Sequence, residues 1–337
     1  MPDDVPECVE IIAKHPVLGP RYGKRIDDLQ RALVQVLGRD AIRTGIIQTC
    51  EGPRHTICFF GVSAFVNDDF IREVKTPPLF WYGPELSKRI LCSESPLLSD
   101  SQIREANSSG GLNLICWESC VRPGFESHDA IHRGIMSVFI EAHIGFLWKE
   151  IMTSQLDSPE RLLWTIKTGG LWWDCQSGRY MESLGKDAED IIREPHVVGV
   201  ARAAELTRPE AWAGTWVGTL FDYRPPHFGF TPSEQRMLLA AIEGATDEEL
   251  SQRVGTSLPT IKKTWQSVYR RAAKHMPELN LVDAESDESV RRGKEKRRRL
   301  MAYLREHFEE LRPYSPKLLR KNVQAATAKS KSRSVSA

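Results

Sequence analysis

The sequence predicts an α+β domain over most of its length, followed by a smaller all-α domain. Up to about residue 226, apolar runs of strand length alternate with amphipathic helical patterns; beyond it only the helical period remains. Charge divides at the same place. Up to Phe230 there are 24 Lys and Arg against 31 Asp and Glu, a balance of −7. From Thr231 onward there are 22 against 14, a balance of +8, and the net charge of +1 conceals the difference. A basic half is the electrostatic footprint of an end that meets nucleic acid.

In chain order, residues 1–20 are proline-rich and read as an arm. Ile26, Leu29, Leu33, Val34 and Leu37 make residues 22–37 an amphipathic helix closed by Gly38. Residues 56–66 (TICFFGVSAFV) are β-branched and aromatic, one long strand or a pair. After the break at Pro77-Pro78, helices are expected at 84–91 and 99–106, and a strand at 112–117 behind the Asn107 to Gly111 turn. Residues 129–152 read as the longest helix of this half, with Ile135, Val138, Phe139 and Ala142 placed to pack on a sheet. A hairpin over 171–180 and strands at 197–201 and 215–223 complete the domain, and Pro225-Pro226 ends it. Residues 21–226 are therefore expected to be an α+β domain of sensor type, a sheet folded around a pocket.

Residues 230–276 carry the most local signals of helix starts and stops. Thr231 caps a first helix, with Pro232 at its first position and Glu234 completing a capping box; Gly244 ends it. Thr246 caps a second helix whose first turn holds Asp247, Glu248 and Glu249, where acidic groups favour the positive end of the dipole; Gly255 stops it. Ser257 caps a third, whose apolar stripe is Ile261, Trp265, Val268 and Ala272. Its other face carries Lys262, Lys263, Gln266, Arg270 and Arg271. Two short helices joined at a glycine, the second apolar inside and basic or amide-bearing outside, are the layout of a helix-turn-helix reader.

These residues resemble the DNA-binding domain of the LuxR and FixJ class of bacterial transcription regulators. The likeness rests on Thr231-Pro232-Ser233-Glu234, Gly244, Glu249-Leu250, Val254-Gly255, Ser257, Thr260-Ile261-Lys262 and Val268-Tyr269-Arg270-Arg271, and covers about an eighth of the chain. It implies that Lys262, Lys263 and Gln266 face base edges in the major groove, while Thr260, Arg270 and Arg271 hold phosphates. It also implies a homodimer on double-stranded DNA, and an upstream half of autoinducer-binding, GAF-like or PAS-like kind responding to a small-molecule effector. The sequence departs from the family at Thr256, at Thr264 where a histidine is usual, and at Pro277, which interrupts the short fourth helix.

Residues 277–290 read as an acidic linker. Arg291 to Arg299 hold seven basic residues in nine and lead into a helix, 291–312, with Leu300, Leu304, Phe308 and Leu311 as its apolar positions. Arg297, Arg298 and Arg299 are expected on phosphates. Residues 313–337 contain no acid and read as a disordered basic tail.

Features of other classes are weaker. Asp68-Asp69 after a strand mimics a phospho-receiver, but the regular βα repeat is missing. Cys116 and Cys120 with His128, His132 and His143 would be the material of a thiol enzyme fused to a DNA anchor, and an adaptor whose first half only dimerises is a third reading. Seven scattered cysteines without a CxxC pair support neither a disulfide framework nor a metal site, and no cofactor motif is seen. With an acidic N-terminus and charges throughout residues 131–151, a cytoplasmic, non-membrane regulator without catalytic activity is the expectation.

Overall fold

The computed structural model describes residues 2–49, 55–202, 212, 214–279, 289–316 and 318. They form two units: Met1–His143 with Leu147–Phe221, which is mixed α/β, and Ile144–Phe146 with Asp222–Ala337, which is helical.

The first unit begins with α1 (Val5–Lys14), α2 (Leu18–Tyr22) and α3 (Ile26–Val36). The expected arm is thus a packed helix. Val5, Cys8, Val9 and Ile12 repeat at helical spacing and are buried, and Pro6 sits in the first turn, where a missing N–H costs nothing. Next come β1 (Ile42–Thr49), a strand not expected from the sequence, and β2 (Thr56–Val66), a single 11-residue strand. They pair antiparallel, Ile42 opposite Ala64. Helices α4 (Asp68–Val74), α5 (Tyr82–Leu91) and α6 (Asp100–Ala106) precede β3 (Leu112–Val121), antiparallel to β2.

The long helix expected at 129–152 is two elements. Helix α7 (Asp129–His143) stops at its last turn, Gly145 takes φ 85° to redirect the chain, and β4 (Trp148–Met152) pairs parallel with β3. The same apolar residues serve a strand once a left-handed residue separates them from the helix. Helix α8 (Pro159–Lys167), strands β5 (Leu171–Asp174) and β6 (Arg179–Met181), the short α9 (Ala188–Ile191) and β7 (Val198–Ala201) follow. The sheet order is β1-β2-β3-β4-β7-β5-β6.

The unit closes with α10 (Trp216–Phe221), where a strand was expected. The β-branched and aromatic composition of residues 215–223 misled; Trp216, Val217, Leu220 and Phe221 are buried at helical spacing, and Thr215 Oγ1 accepts from the Gly218 N–H at 3.3 Å. One sheet face is covered by α1, α3 and α5, with Ile12, Leu29, Leu33, Leu86 and Ile90 packed around Phe60 and Val62.

The second unit holds α11 (Pro232–Ile242), α12 (Asp247–Val254), α13 (Leu258–His275) and α14 (Ser289–Glu306). They share one core: Leu300, Met301, Leu304 and Leu311 pack with Phe228, Leu238, Trp265 and Val268. The expected linker lies mostly outside the described residues, as does nearly all of the expected tail. No helix among the described residues is long and apolar enough to cross a membrane.

Candidate functional site

Local rules set the geometry of α11–α13. Thr231 Oγ1 accepts from the Glu234 N–H at 3.3 Å while Glu234 Oε2 accepts from the Thr231 N–H at 2.8 Å. Thr246 and Glu249 repeat this at 3.2 and 2.7 Å. Gly255 turns the chain at φ 67°, and Ser257 Oγ accepts from the Thr260 N–H at 3.4 Å. The phase of α13 follows. Ile261, Trp265, Val268 and Ala272 are buried, whereas Thr260, Lys262, Lys263, Gln266 and Arg270 are exposed on the other side.

Arg271 is partly committed elsewhere. Its Nε lies 3.2 Å from Glu234 Oε2, and its Nη1 donates to Gly229 O at 3.3 Å. Burial works to raise the Glu234 carboxyl. Hydrogen bonds from Thr231 and Ser267, with the Arg271 charge, outweigh it and hold the group below the usual carboxylate range.

Arg297 differs from the phosphate contact expected of it. Its guanidinium donates to Asp247 Oδ1 at 2.9 Å and Ala245 O at 2.5 Å, and lies 4.7 Å from the centre of the Trp265 ring. The Trp265 indole N–H reaches the same Asp247 oxygen at 3.1 Å. Arg297 therefore braces the back of α13. Arg298 and Arg299 remain exposed and share Glu295, at 2.7 and 3.0 Å, and their hydrogen bonds draw that carboxyl down to about 2. The side chains of Arg291, Arg292 and Lys294 lie outside the described residues.

The first unit contains a cavity of about 870 Å³ between the sheet and helices α7, α8 and α10. It explains a discrepancy in α7. Ile135, Val138, Phe139 and Ala142, expected to pack on the sheet, are only half-buried because they face this space. Of α7 only Ile131 and His143 are buried. The helix leans on the sheet margin, where Val138 lies against Gly45 of β1 so closely that a Cβ there would collide. Phe59 of β2, Val121 of β3 and Trp216 of α10 extend the apolar wall, and Trp164, 49% exposed, stands at its rim.

Of the aromatic residues, Tyr82 and Trp117 belong to the core on the other face of the sheet, while Trp164 and Trp216 line the cavity. The polar wall groups Glu118, Ser119, Ser154 and Arg161 were not singled out, since isolated polar residues in a strand or loop carry no local signal. Cys116 also lines the cavity; burial pushes its thiol up to about 12 and that of Cys120 higher still, so neither supplies a thiolate near neutrality. His132 Nε2 bonds Glu126 O at 2.5 Å, and His143 bridges Ser63 Oγ and Phe139 O at 2.6 and 2.7 Å.

One cavity wall depends on a buried histidine. His196 Nε2 accepts from the Leu156 N–H at 2.9 Å and Nδ1 bonds Glu194 O at 2.9 Å, so the ring proton sits on Nδ1. Burial pushes this imidazole down from 6.5 to about 4. A folded-state value below the unfolded one gives stability that is complete above pH 6.5 and lost as pH falls towards 4, roughly 3 kcal/mol in all. Eight of the nine tryptophans lie in this unit, so unfolding followed by tryptophan fluorescence reports it. His196→Gln should be less stable than the wild type at pH 7.5, and the gap between the two midpoints should close across that window, since Glu118, raised to about 7 in the same unit, contributes its opposite pH dependence to both proteins alike. Parallel pH profiles would mean that His196 titrates alike in both states.

No family model matches the chain, and no curated protein matches it.

Proposed function

We propose that this chain is a DNA-binding transcription regulator, in which α11–α13 form a helix-turn-helix, α13 enters the major groove, and the α/β unit is the controlling half that answers a ligand or partner. The observation that carries the reading is the sidedness of α13. Its stripe of Ile261, Trp265, Val268 and Ala272 is spent on the core, and Lys262, Lys263 and Gln266 stand together on the free face of its first turns. Lysine suits guanine O6 and N7 or a phosphate, and glutamine can pair with both acceptor and donor of an adenine edge. The +8 balance from Thr231 onward favours the same partner. Thr260, Arg270, Arg298 and Arg299 are exposed groups suited to phosphates, whereas Arg297 is placed for bracing.

The test begins by selecting a preferred site from a pool of random duplexes with the full-length chain. On that site Gln266→Ala and Lys263→Ala should each cost about 1–3 kcal/mol, measured by fluorescence anisotropy, with little loss on random DNA. Arg270→Ala should weaken both DNAs alike, because a phosphate contact carries no base information. If Gln266→Ala and Lys263→Ala lose equally on both DNAs, α13 does not read bases through this face.

A further inference from the structure

The cavity under α7 lies within the volume range of small-molecule sites, about 300–1,000 Å³, and most of its wall is apolar. Polar residues also line it, Arg43 and Arg133 among them, and at the end formed by β3, the segment after β4 and α8 three of them form a chain. Arg161 Nη2 donates to Ser119 Oγ at 3.1 Å, and Ser119 Oγ lies 2.9 Å from Ser154 Oγ. A guanidinium has no lone pair with which to accept. The two serines therefore hold two hydroxyl hydrogens, and their mutual bond consumes one whichever of them donates. The other has no acceptor among the described residues. Ser154 is only 8% exposed and Ser119 is half-buried, and both line the cavity, so the spare donor sits on its wall whichever serine carries it.

Charge at this end is already balanced. Arg161 Nη1 lies 2.6 Å from Asp157 Oδ1, which leaves the guanidinium no unmatched charge for an anion. Glu118 lines the same wall with Tyr22 donating to its Oε1 at 2.7 Å, and burial pushes it up to about 7. An incoming carboxylate would meet a second acid there, whereas an uncharged oxygen would meet one waiting hydroxyl.

We infer that the cavity binds a small molecule with an apolar body and one neutral carbonyl oxygen, of ester, amide or ketone kind, and that the Arg161–Ser119–Ser154 chain holds that oxygen. Phe59, Val121, Val138, Phe139 and Trp216 would cover the body. This rests on reading the α/β unit as the controlling half, and it is tested on the full-length chain without DNA, so the two readings can fail separately.

The neutral fluorescent amine N-phenyl-1-naphthylamine is titrated into the protein and then displaced with methyl decanoate or with decanoate. The ester should displace it at a concentration at least about tenfold lower than the carboxylate. Ser119→Ala/Ser154→Ala should bind the probe as before but the ester about fivefold more weakly, the effect of one lost hydrogen bond. Ala142→Trp, which drives an indole into the cavity, should weaken the probe itself at least about tenfold. Stronger displacement by decanoate, or undiminished ester binding to the double serine variant, overturns the assignment of the polar end; undiminished probe binding to Ala142→Trp overturns the cavity as the site.

Discussion

Trp265→Ala should unfold the helical unit and leave the α/β unit intact. The indole is 6% exposed in the core formed by α11–α14, and truncating a buried aromatic costs about 3–5 kcal/mol, much of the stability of a unit this size. Packing is not all that is lost: the Asp247 carboxylate loses the indole N–H, and Arg297 loses the ring beneath it. Calorimetry should show the helical unit melting near or below ambient temperature, while the tryptophan fluorescence transition, which reports the other unit, stays in place. Trp265→Phe, which keeps most of the volume, should recover more than half of the loss. A Trp265→Ala protein that melts like the wild type would contradict the inward phase of α13.

Glu310→Ala should be nearly as damaging. Glu310 is fully buried, and its two oxygens accept the backbone N–H groups of His227 and Phe228 at 2.6 and 3.0 Å. Truncation leaves two donors unpaired at about 1–3 kcal/mol each, so roughly 2–6 kcal/mol in all. Glu310→Gln retains one acceptor and should cost about half as much near pH 7. Burial raises this carboxyl from 4.5 to about 7, against the two N–H bonds that lower it. A raised folded-state value gives stability that is full below pH 4.5 and lost as pH rises through 7. In the Gln variant that decline should vanish, as read from urea midpoints at pH 5 and pH 8. A Glu310→Gln protein with the wild-type pH slope would show that the dependence comes from another group.

What the sequence discloses depends on how far the deciding contact lies along the chain. The caps at Thr231, Thr246 and Ser257 and the stripe on α13 involve residues a few positions apart, so they can be read directly and the structure reproduces them. Strand β1 was missed because Gly45 and the polar residues Arg43, Thr44 and Gln48 give it no apolar alternation; it is held by pairing with β2. The division of residues 129–152 turned on Gly145, a stop signal that was passed over because apolar residues continue beyond it. The cavity is a different case. Ile135, Val138 and Phe139 have the same spacing whether they meet side chains or empty space, so the stripe was legible and the void was not. Likewise, a run of seven basic residues in nine does not disclose which one folds back, and only the position of Asp247 singles out Arg297.

The shared core of α11–α14 fixes the smallest piece of this chain that can stand alone. A fragment of residues 230–276 holds every residue of the family-like pattern but lacks Leu300, Met301, Leu304 and Leu311, and with them the Arg297 brace. It also lacks Tyr314, whose hydroxyl donates to Phe230 O at 3.1 Å. Cut there, the fragment would present a raw apolar surface to water and self-associate. A version from about residue 222 to residue 316 restores these groups and lacks, of the described unit, only residue 318 and Ile144–Phe146, whose Ile144 carbonyl accepts from Arg312 Nε at 2.8 Å.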